Sequence, residues 1–438
     1  MAAKPLRIAM VTTFYPPLNF GGDGQYIRRF AHALARRGCE IEIIHDADAW
    51  SVGSGGVPMP PPDPEPPGIT VHRLQSRFPF LATTLTHQLS RPIVHGAEIK
   101  RLLARDIDVI HYHNASLVGG AGVLEIGDAL KLYTAHEHWL VCPTHVLWRH
   151  NREVCDRREC LKCSLVHKRP PQLWRYTDVL DRAVQNVDVF IALSKSVAAN
   201  HKAFGFKPPM TLLPSFMADA DTVAAEIAEA PPPERPFFLF VGRLEIIKGL
   251  QDVIPVFDAD MPADLVIAGA GAYEPELRRL AEGRPNVKFI GQTGREDLTR
   301  LYRQARALLA TSRCYEVFPM VMLEAFREGT PVIARDLGPY PEIIEESAGG
   351  LLFKTGDELR AALMQLIDNP DQRDQMGAAG RAALAERWSE SVAMDGYFDL
   401  IQATAERTGR PEVAAKAAAL PRTTAETSRA SSQAVIQS

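Results

Sequence analysis

The chain opens with an apolar, β-branched run, LRIAMVTT, that reads as a strand, and FYPPLNFGG breaks it with proline and glycine. In the next stretch, GQYIRRFAHALARRG, the apolar residues Ile27, Phe30, Ala31, Leu34 and Ala35 fall on one helical face, and Gly38 is placed to stop the helix. EIEIIH follows as a second strand. Strand, helix and strand within about 45 residues form the unit of a doubly wound parallel sheet. Residues 51–68, SVGSGGVPMPPPDPEPPG, have no periodicity and read as an exposed loop. Strands are then expected at ITVHRL, DVIHYH, ALKLYTAHE, VDVFIALS and MTLLPS, alternating with helical stretches such as HGAEIKRLLARD and SVAANHKAFGF. Pro231, Pro232, Pro233 and Pro236 interrupt the pattern. A second series with the same rhythm follows: PFFLFVGRL, ADLVIAGAG, NVKFIGQ, RALLATS, TPVIARD and GGLLF. After about Arg410 the chain turns to Ala, Thr, Ser and Arg without a core pattern, as a disordered tail would.

Composition narrows the class. With 438 residues, 46% hydrophobic and 23% charged, and a net charge of −4, the chain matches a globular protein of two or three domains. Collagenous, coiled-coil and wholly disordered chains are excluded. No run approaches the ~18 apolar residues of a membrane span. The first apolar run is too short and too broken by threonine for a secretory signal, so a reducing cytoplasm is expected.

Ligands of open α/β sheets bind beyond the carboxyl ends of the strands. After PFFLFVG come Arg243 and Lys248, two cations suited to one dense anion such as a diphosphate. Alone, such a pair is more often solvated. After RALLATS, the stretch SRCYEVFPMVMLEAFREG places Pro319 as a first helical residue, with residues 319–321 forming a helix N-terminus, an anion site in its own right. Glu316 lies in the loop before that helix and Glu324 inside it, seven residues between them. A carboxylate inside the helix can accept ribose hydroxyls; one in the loop can reach a sugar hydroxyl or the positive charge developing at an anomeric carbon.

Taken together, VGRLEIIKG and YEVFPMVMLEA resemble the retaining GT-B glycosyltransferases of family four, the glycosyl transferases of group 1, in a subgroup with a four-cysteine insert. Their marks are G-R-L-x3-K-G and E-x7-E, in that order, in the C-terminal of two Rossmann-like domains. The resemblance runs over residues 6–407, including the FYPPLNFGG loop, the ALSKS turn and GPYPEII at 338–344. It implies an α/β GT-B fold: two Rossmann-like doubly wound domains facing across a cleft, with a C-terminal helix returning to the N-terminal domain. The expected division is 1–215 for the acceptor domain, with a Cys-rich insert at 142–176, 216–387 for the donor domain, 388–408 for the crossover helix and 409–438 for the tail.

The resemblance further implies a retaining hexosyltransferase that moves a sugar from a UDP-, GDP- or ADP-sugar to a glycan, glycolipid or small molecule, as in polysaccharide biosynthesis, without a catalytic metal. Arg243 and Lys248 would hold the donor diphosphate, Glu324 the ribose, and Glu316 and His136 the donor sugar. Gly21 and Gly22 would approach by backbone, and Phe318, Pro319, Met320 and Val321 would complete the donor contacts. The chain departs from the family pattern at His136-Glu137, at Leu213–Phe216 and at Val317 and Pro319, none of which removes an expected charge. Two other readings stay open: an epimerase or phosphorylase on the same fold, and a non-catalytic metal-binding scaffold. His111 and His113 are expected to be structural, and Cys39 and Cys314 to be core residues.

Four of the six cysteines cluster as C-x12-C-x4-C-x2-C: Cys142, Cys155, Cys160 and Cys163. Four thiolates satisfy tetrahedral zinc, the leading expectation, with Arg157, Arg158 and Lys162 offsetting the charge of the site. An iron–sulfur cluster, disulfides and reduced thiols remain alternatives. The surrounding residues 144–176 carry eight Arg/Lys against three acids, with Trp148, Trp174 and Tyr176. That suits an anionic acceptor, such as a lipid-linked glycan at the inner-membrane face, as well as a merely solvated surface. No nucleic-acid motif accompanies the patch. The sequence leaves the oligomeric state open.

Overall fold

The computed structural model describes residues 4–218 and 233–422. The chain divides into two compact units: Met1–His145, Arg157–Leu213 and Ser391–Ser438 in the first, Val146–Asp156 and Pro214–Glu390 in the second. In chain order the strands are β1 (Arg7–Thr12), β2 (Glu40–Asp46), β3 (Ile69–Leu74), β4 (Val109–Tyr112), β5 (Leu130–Ala135), β6 (Trp148–Arg149), β7 (Glu153–Val154), β8 (Val189–Ala192), β9 (Met210–Leu212), β10 (Phe237–Val241), β11 (Asp264–Ala268), β12 (Val287–Gly291), β13 (Leu308–Ala310), β14 (Val332–Arg335) and β15 (Gly350–Phe353).

The first unit holds a seven-stranded sheet in the order β3-β2-β1-β4-β5-β8-β9, and the second a six-stranded sheet in the order β12-β11-β10-β13-β14-β15. Every strand pair in both sheets is parallel. Parallel strands covered by helices on both faces need continuous apolar sequence. β10 shows why: Phe237 and Leu239 enter one core layer, while Phe238 and Phe240 enter the other. In each sheet the order reverses beside the first strand, between β1 and β4 and between β10 and β13. Doubly wound sheets bind ligands at such switch points. The carboxyl ends of β10 and β13 lead directly to the segments with Arg243 and Glu316.

The helix Glu390–Arg407 returns the chain to the first unit, as expected. There Tyr397, Phe398 and Ile401 are buried, and the Tyr397 hydroxyl meets His111 Nδ1 at 3.0 Å.

Several elements differ from the sequence reading. The unit boundaries fall at 213/214 and 390/391. The cysteine-rich insert is divided: residues 146–156, including the β6–β7 hairpin, belong to the second unit, where Arg313 stands 5.8 Å from the Trp148 ring. The 51–68 loop begins inside a helix, Ala47–Gly53, because the Asp46 side chain accepts from Ala49 N and caps it. Within the expected tail, Pro411–Ala418 is helical, buries Val413, Ala414 and Ala417, and ties Lys416 Nζ to Asp108 at 2.8 Å. Its buried face is mostly alanine, too small an apolar signal to register as periodicity. Residues 423–438 of that tail, and Pro231 and Pro232 of the linker, lie outside the described residues.

Candidate active site

In the second unit, β10 ends at Val241 and Gly242 turns the chain to Arg243, an exposed side chain whose Nη1 lies 2.8 Å from Glu245 Oε1. A short 3-10 turn, Ile246–Lys248, then presents Lys248 and ends at Gly249, with φ +78. A Cβ on Gly249 would stand 2.1 Å from the Thr311 carbonyl oxygen, so only glycine allows this approach. Thr311 in turn donates from Oγ1 to the Lys248 carbonyl at 2.6 Å, locking the β10 and β13 loops together.

That contact places Lys248 Nζ 2.7 Å from Glu316 Oε1, and Ser312 Oγ donates to the same oxygen at 2.5 Å. Burial works against both charges, but the partner wins. Burial alone would raise Glu316; Lys248, Ser312 and Arg243 together hold it below the usual carboxylate range. Burial alone would lower Lys248; Glu316 outweighs that and leaves it raised. Both groups are therefore charged at neutral pH. An ammonium has three donors, and Glu316 engages one of them, so Lys248 keeps capacity for an anion.

The helix Met320–Arg327 carries Glu324. Pro319 is its N-cap rather than its first residue, and having no N–H it leaves the helix end to the Met320 and Val321 amides. The side chains of Phe318, Met320 and Val321 are partly buried and pack against the core. The Tyr302 hydroxyl donates to Glu324 Oε2 at 2.9 Å. Tyr302 is buried, and 22 residues of sequence hide its relation to Glu324. Tyr302→Phe is expected to raise the donor KM about tenfold with kcat nearly unchanged, since a hydrogen bond to a charged group is worth about 1.5–3 kcal/mol. Steady-state kinetics over donor concentration check this split.

In the first unit, Gly21 caps the 15-residue helix Gly22–Arg36 in extended backbone, and its carbonyl accepts from Asn19 Nδ2 at 2.7 Å. Nothing lies within 4 Å of where a Gly22 Cβ would stand, which leaves the helix end open to a ligand. His136 follows β5 and is half-buried. Its Nε2 meets His113 Nδ1 at 2.9 Å, and its ring lies 5.3 Å from that of Tyr26. Burial lowers His136 to about 4, against the opposing pull of Asp23, so the imidazole is neutral. His111 fits its expected structural role: it is bonded to Thr134 Oγ1 at 2.8 Å and to Tyr397. His113 is more than packing, because it orients His136. Glu137 turns to His145 Nδ1, at 2.8 Å.

The cysteines are not gathered as a four-thiolate site requires. Tetrahedral zinc with bonds near 2.3 Å holds its sulfurs about 3.8 Å apart. Among the described residues, the one set of three potential ligands lying within 4.8 Å of one another is Asp46, Asp48 and His95. Cys142, Cys160 and Cys163 belong to the first unit and Cys155 to the second.

Residues 20–217 match the family described as Glycosyltransferase Family 4, and residues 223–383 the family described as Glycosyl transferases group 1. The GDP-mannose-dependent monoacylated alpha-(1-6)-phosphatidylinositol monomannoside mannosyltransferase of Corynebacterium glutamicum is 34% identical over 169 residues, 37% of this chain and 44% of that protein. The alignment thus spans less than half of that relative. Sucrose-phosphate synthase from Thermosynechococcus elongatus superposes with a TM-score of 0.65 at 20% identity, covering 94% of this chain and all of that one (100%). Anabaena HepE in complex with UDP gives 0.62 at 16% identity, covering 91% and 100%. At these identities the likeness to the solved structures is one of fold, and that fold is GT-B.

Proposed function

On a chain that carries a Glycosyltransferase Family 4 domain followed by a Glycosyl transferases group 1 domain, we propose retaining transfer of a hexose from a nucleotide-sugar donor to a glycan or glycolipid acceptor. The observation that carries this reading is the Lys248–Glu316 contact at the switch point of the second sheet, with Arg243 on the same loop and Glu324 fixed by Tyr302. The donor is a UDP-, GDP- or ADP-sugar. Arg243 and Lys248 bind its diphosphate, Glu324 the ribose, and the Met320 and Val321 amides a phosphate oxygen. As the glycosidic bond breaks, negative charge grows on the departing diphosphate, and preorganised cations stabilise it most at that moment. No divalent metal is needed for that step. Glu316 stays ionised beside the anomeric carbon, where positive charge develops. Neutral His136 is assigned to the sugar hydroxyls, and Gly21 and Gly22 to backbone approach.

The glycolipid named in the Corynebacterium relative supports an acceptor of that class. The basic residues of the 144–176 segment support its being anionic and presented at a membrane face. No helix among the described residues is long and apolar enough to cross a membrane. In this reading the contact is peripheral, at the cytoplasmic face. The test is a panel of nucleotide sugars assayed for released nucleoside diphosphate, with proton NMR of the first sugar anomer formed. An α-linked donor is expected to release the α-anomer; early release of the β-anomer would contradict retention.

Zinc on Cys142, Cys155, Cys160 and Cys163 enters this reading as a structural element only. Elemental analysis of protein purified without added metal is expected to find about one zinc per chain. A brown protein absorbing in the visible would point to iron–sulfur, and neither metal nor titratable thiols would point to disulfides.

A further inference from the structure

A cavity of about 540 Å³ lies within the first unit, and none of the residues assigned above to the donor lines it. Its walls come from the loop after β5, the start of the helix Cys160–Val166, the 175–185 stretch and the turn at 205–208. Three lining side chains are cationic, Arg158, Arg175 and Lys207, and one, Asp181, is acidic. Asp181 is taken by Lys207 at 3.2 Å on the exposed rim.

That leaves two guanidiniums. Among the described residues, neither Arg158 nor Arg175 forms an ion pair with a carboxylate. Arg175 is nevertheless held rigidly: Nε donates to Gln172 Oε1 at 2.5 Å and Nη2 to the Trp139 carbonyl at 2.8 Å. Its guanidinium carbon lies 4.5 Å from the Trp174 ring centroid and 5.4 Å from that of Trp139. Burial lowers Arg175 to about 10, which still leaves it a cation at neutral pH. Arg158 ends beside Gly205, where a Cβ would stand 3.2 Å from Nη2. Arg158 is exposed at the mouth and Arg175 is half-buried behind it; two guanidiniums without a carboxylate ion pair on one cavity wall suit an anion. Much of the remaining wall is apolar, with Leu140, Val184 and Phe206.

We propose that this cavity binds an organic phosphate, a phosphate or diphosphate monoester with an apolar substituent, its anion on Arg158 and Arg175 and its substituent on the apolar wall. Planar guanidiniums match phosphate oxygens in pairs, and the volume suits a small ligand. This is an anion site separate from the donor diphosphate site, and it rests on the proposed reading only in that its two arginines belong to the basic 144–176 segment. A soluble ester and a lipid headgroup share the required chemistry.

The test uses the full chain with Arg243→Ala and Lys248→Ala, which removes the donor diphosphate contacts. It is titrated by calorimetry with inorganic phosphate and with octyl phosphate, and sedimented with phosphatidylcholine vesicles with and without phosphatidic acid. Octyl phosphate is expected to bind more tightly than inorganic phosphate. Adding Arg158→Ala should weaken it at least about tenfold, and Arg158→Lys should recover part of the loss. Binding in solution alone identifies a soluble ester; Arg158-dependent sedimentation with phosphatidic acid identifies a lipid headgroup. Absence of octyl phosphate binding, or binding untouched by Arg158→Ala, overturns the proposal, and equal affinity for the two phosphates overturns its apolar half. Were the guanidiniums counter-ions of a thiolate–metal cluster instead, phosphate would not bind and Arg158→Ala would loosen the metal.

Discussion

Lys248→Ala is expected to cut donor turnover by about 10²–10³ while the second unit stays folded. The magnitude follows from losing one charge-assisted donor to a leaving group that gains charge in the transition state, about 2.7–4 kcal/mol. The fold survives because Lys248 is a partly exposed side chain on a short turn and takes no part in either core layer. The variant also has a signature beyond rate. Lys248 is the main group holding Glu316 down, with burial pushing the other way. Once Lys248 is removed, Glu316 moves upward, so the acidic limb of the residual pH–rate profile shifts to higher pH. In the wild type, where Glu316 is depressed, that limb lies below the ordinary carboxylate range. Turnover as a function of pH in both proteins checks size and direction together. Unchanged turnover would remove Lys248 from the diphosphate site.

Gly249→Ala acts on the same side chain through the backbone. The residue sits at φ +78, and its new Cβ would stand 2.1 Å from the Thr311 carbonyl oxygen, a group anchored in the β13 loop. A left-handed non-glycine residue costs about 1–2 kcal/mol and overpacking about 1–3, so a loss of about 2–5 kcal/mol is expected. The β10 loop must withdraw from Thr311, taking the Thr311–Lys248 hydrogen bond with it, and Lys248 leaves Glu316. Thermal unfolding should show a lower Tm and nucleoside diphosphate binding should weaken in the same variant. A protein of wild-type stability would mean that the two loops are not clamped as described.

The order of strands was legible because parallel strands covered on both faces are written as continuous apolar runs, and both series of runs appear in the sheets where the rhythm placed them. Lys248 and Glu316 were read from separate motifs 68 residues apart and are bonded in the structure. Their supports were less legible. Ser312 lies four residues before Glu316, where a local signal existed, but Tyr302 reaches Glu324 across a helix and a strand, and Tyr397 reaches His111 across 286 residues. Nothing in local spacing encodes such pairings. The cysteine segment was legible as a cluster along the chain, but not that the β6–β7 hairpin within it belongs to the second unit. The helix Pro411–Ala418 was hidden because alanine carries its buried face.

The central claim is that Arg243, Lys248, Glu316 and Glu324 form a nucleotide-sugar donor site. Its most direct test is a thermal-shift titration of the full chain with UDP, GDP and ADP, repeated on Lys248→Ala. A ligand that binds only the folded state raises Tm by mass action, by about 2.7 kcal/mol of stability at a hundredfold excess over Kd. The account predicts that one of the three raises Tm in the wild type and that Lys248→Ala abolishes most of the shift at the same concentration. No shift with any of them, or the same shift in both proteins, would contradict it.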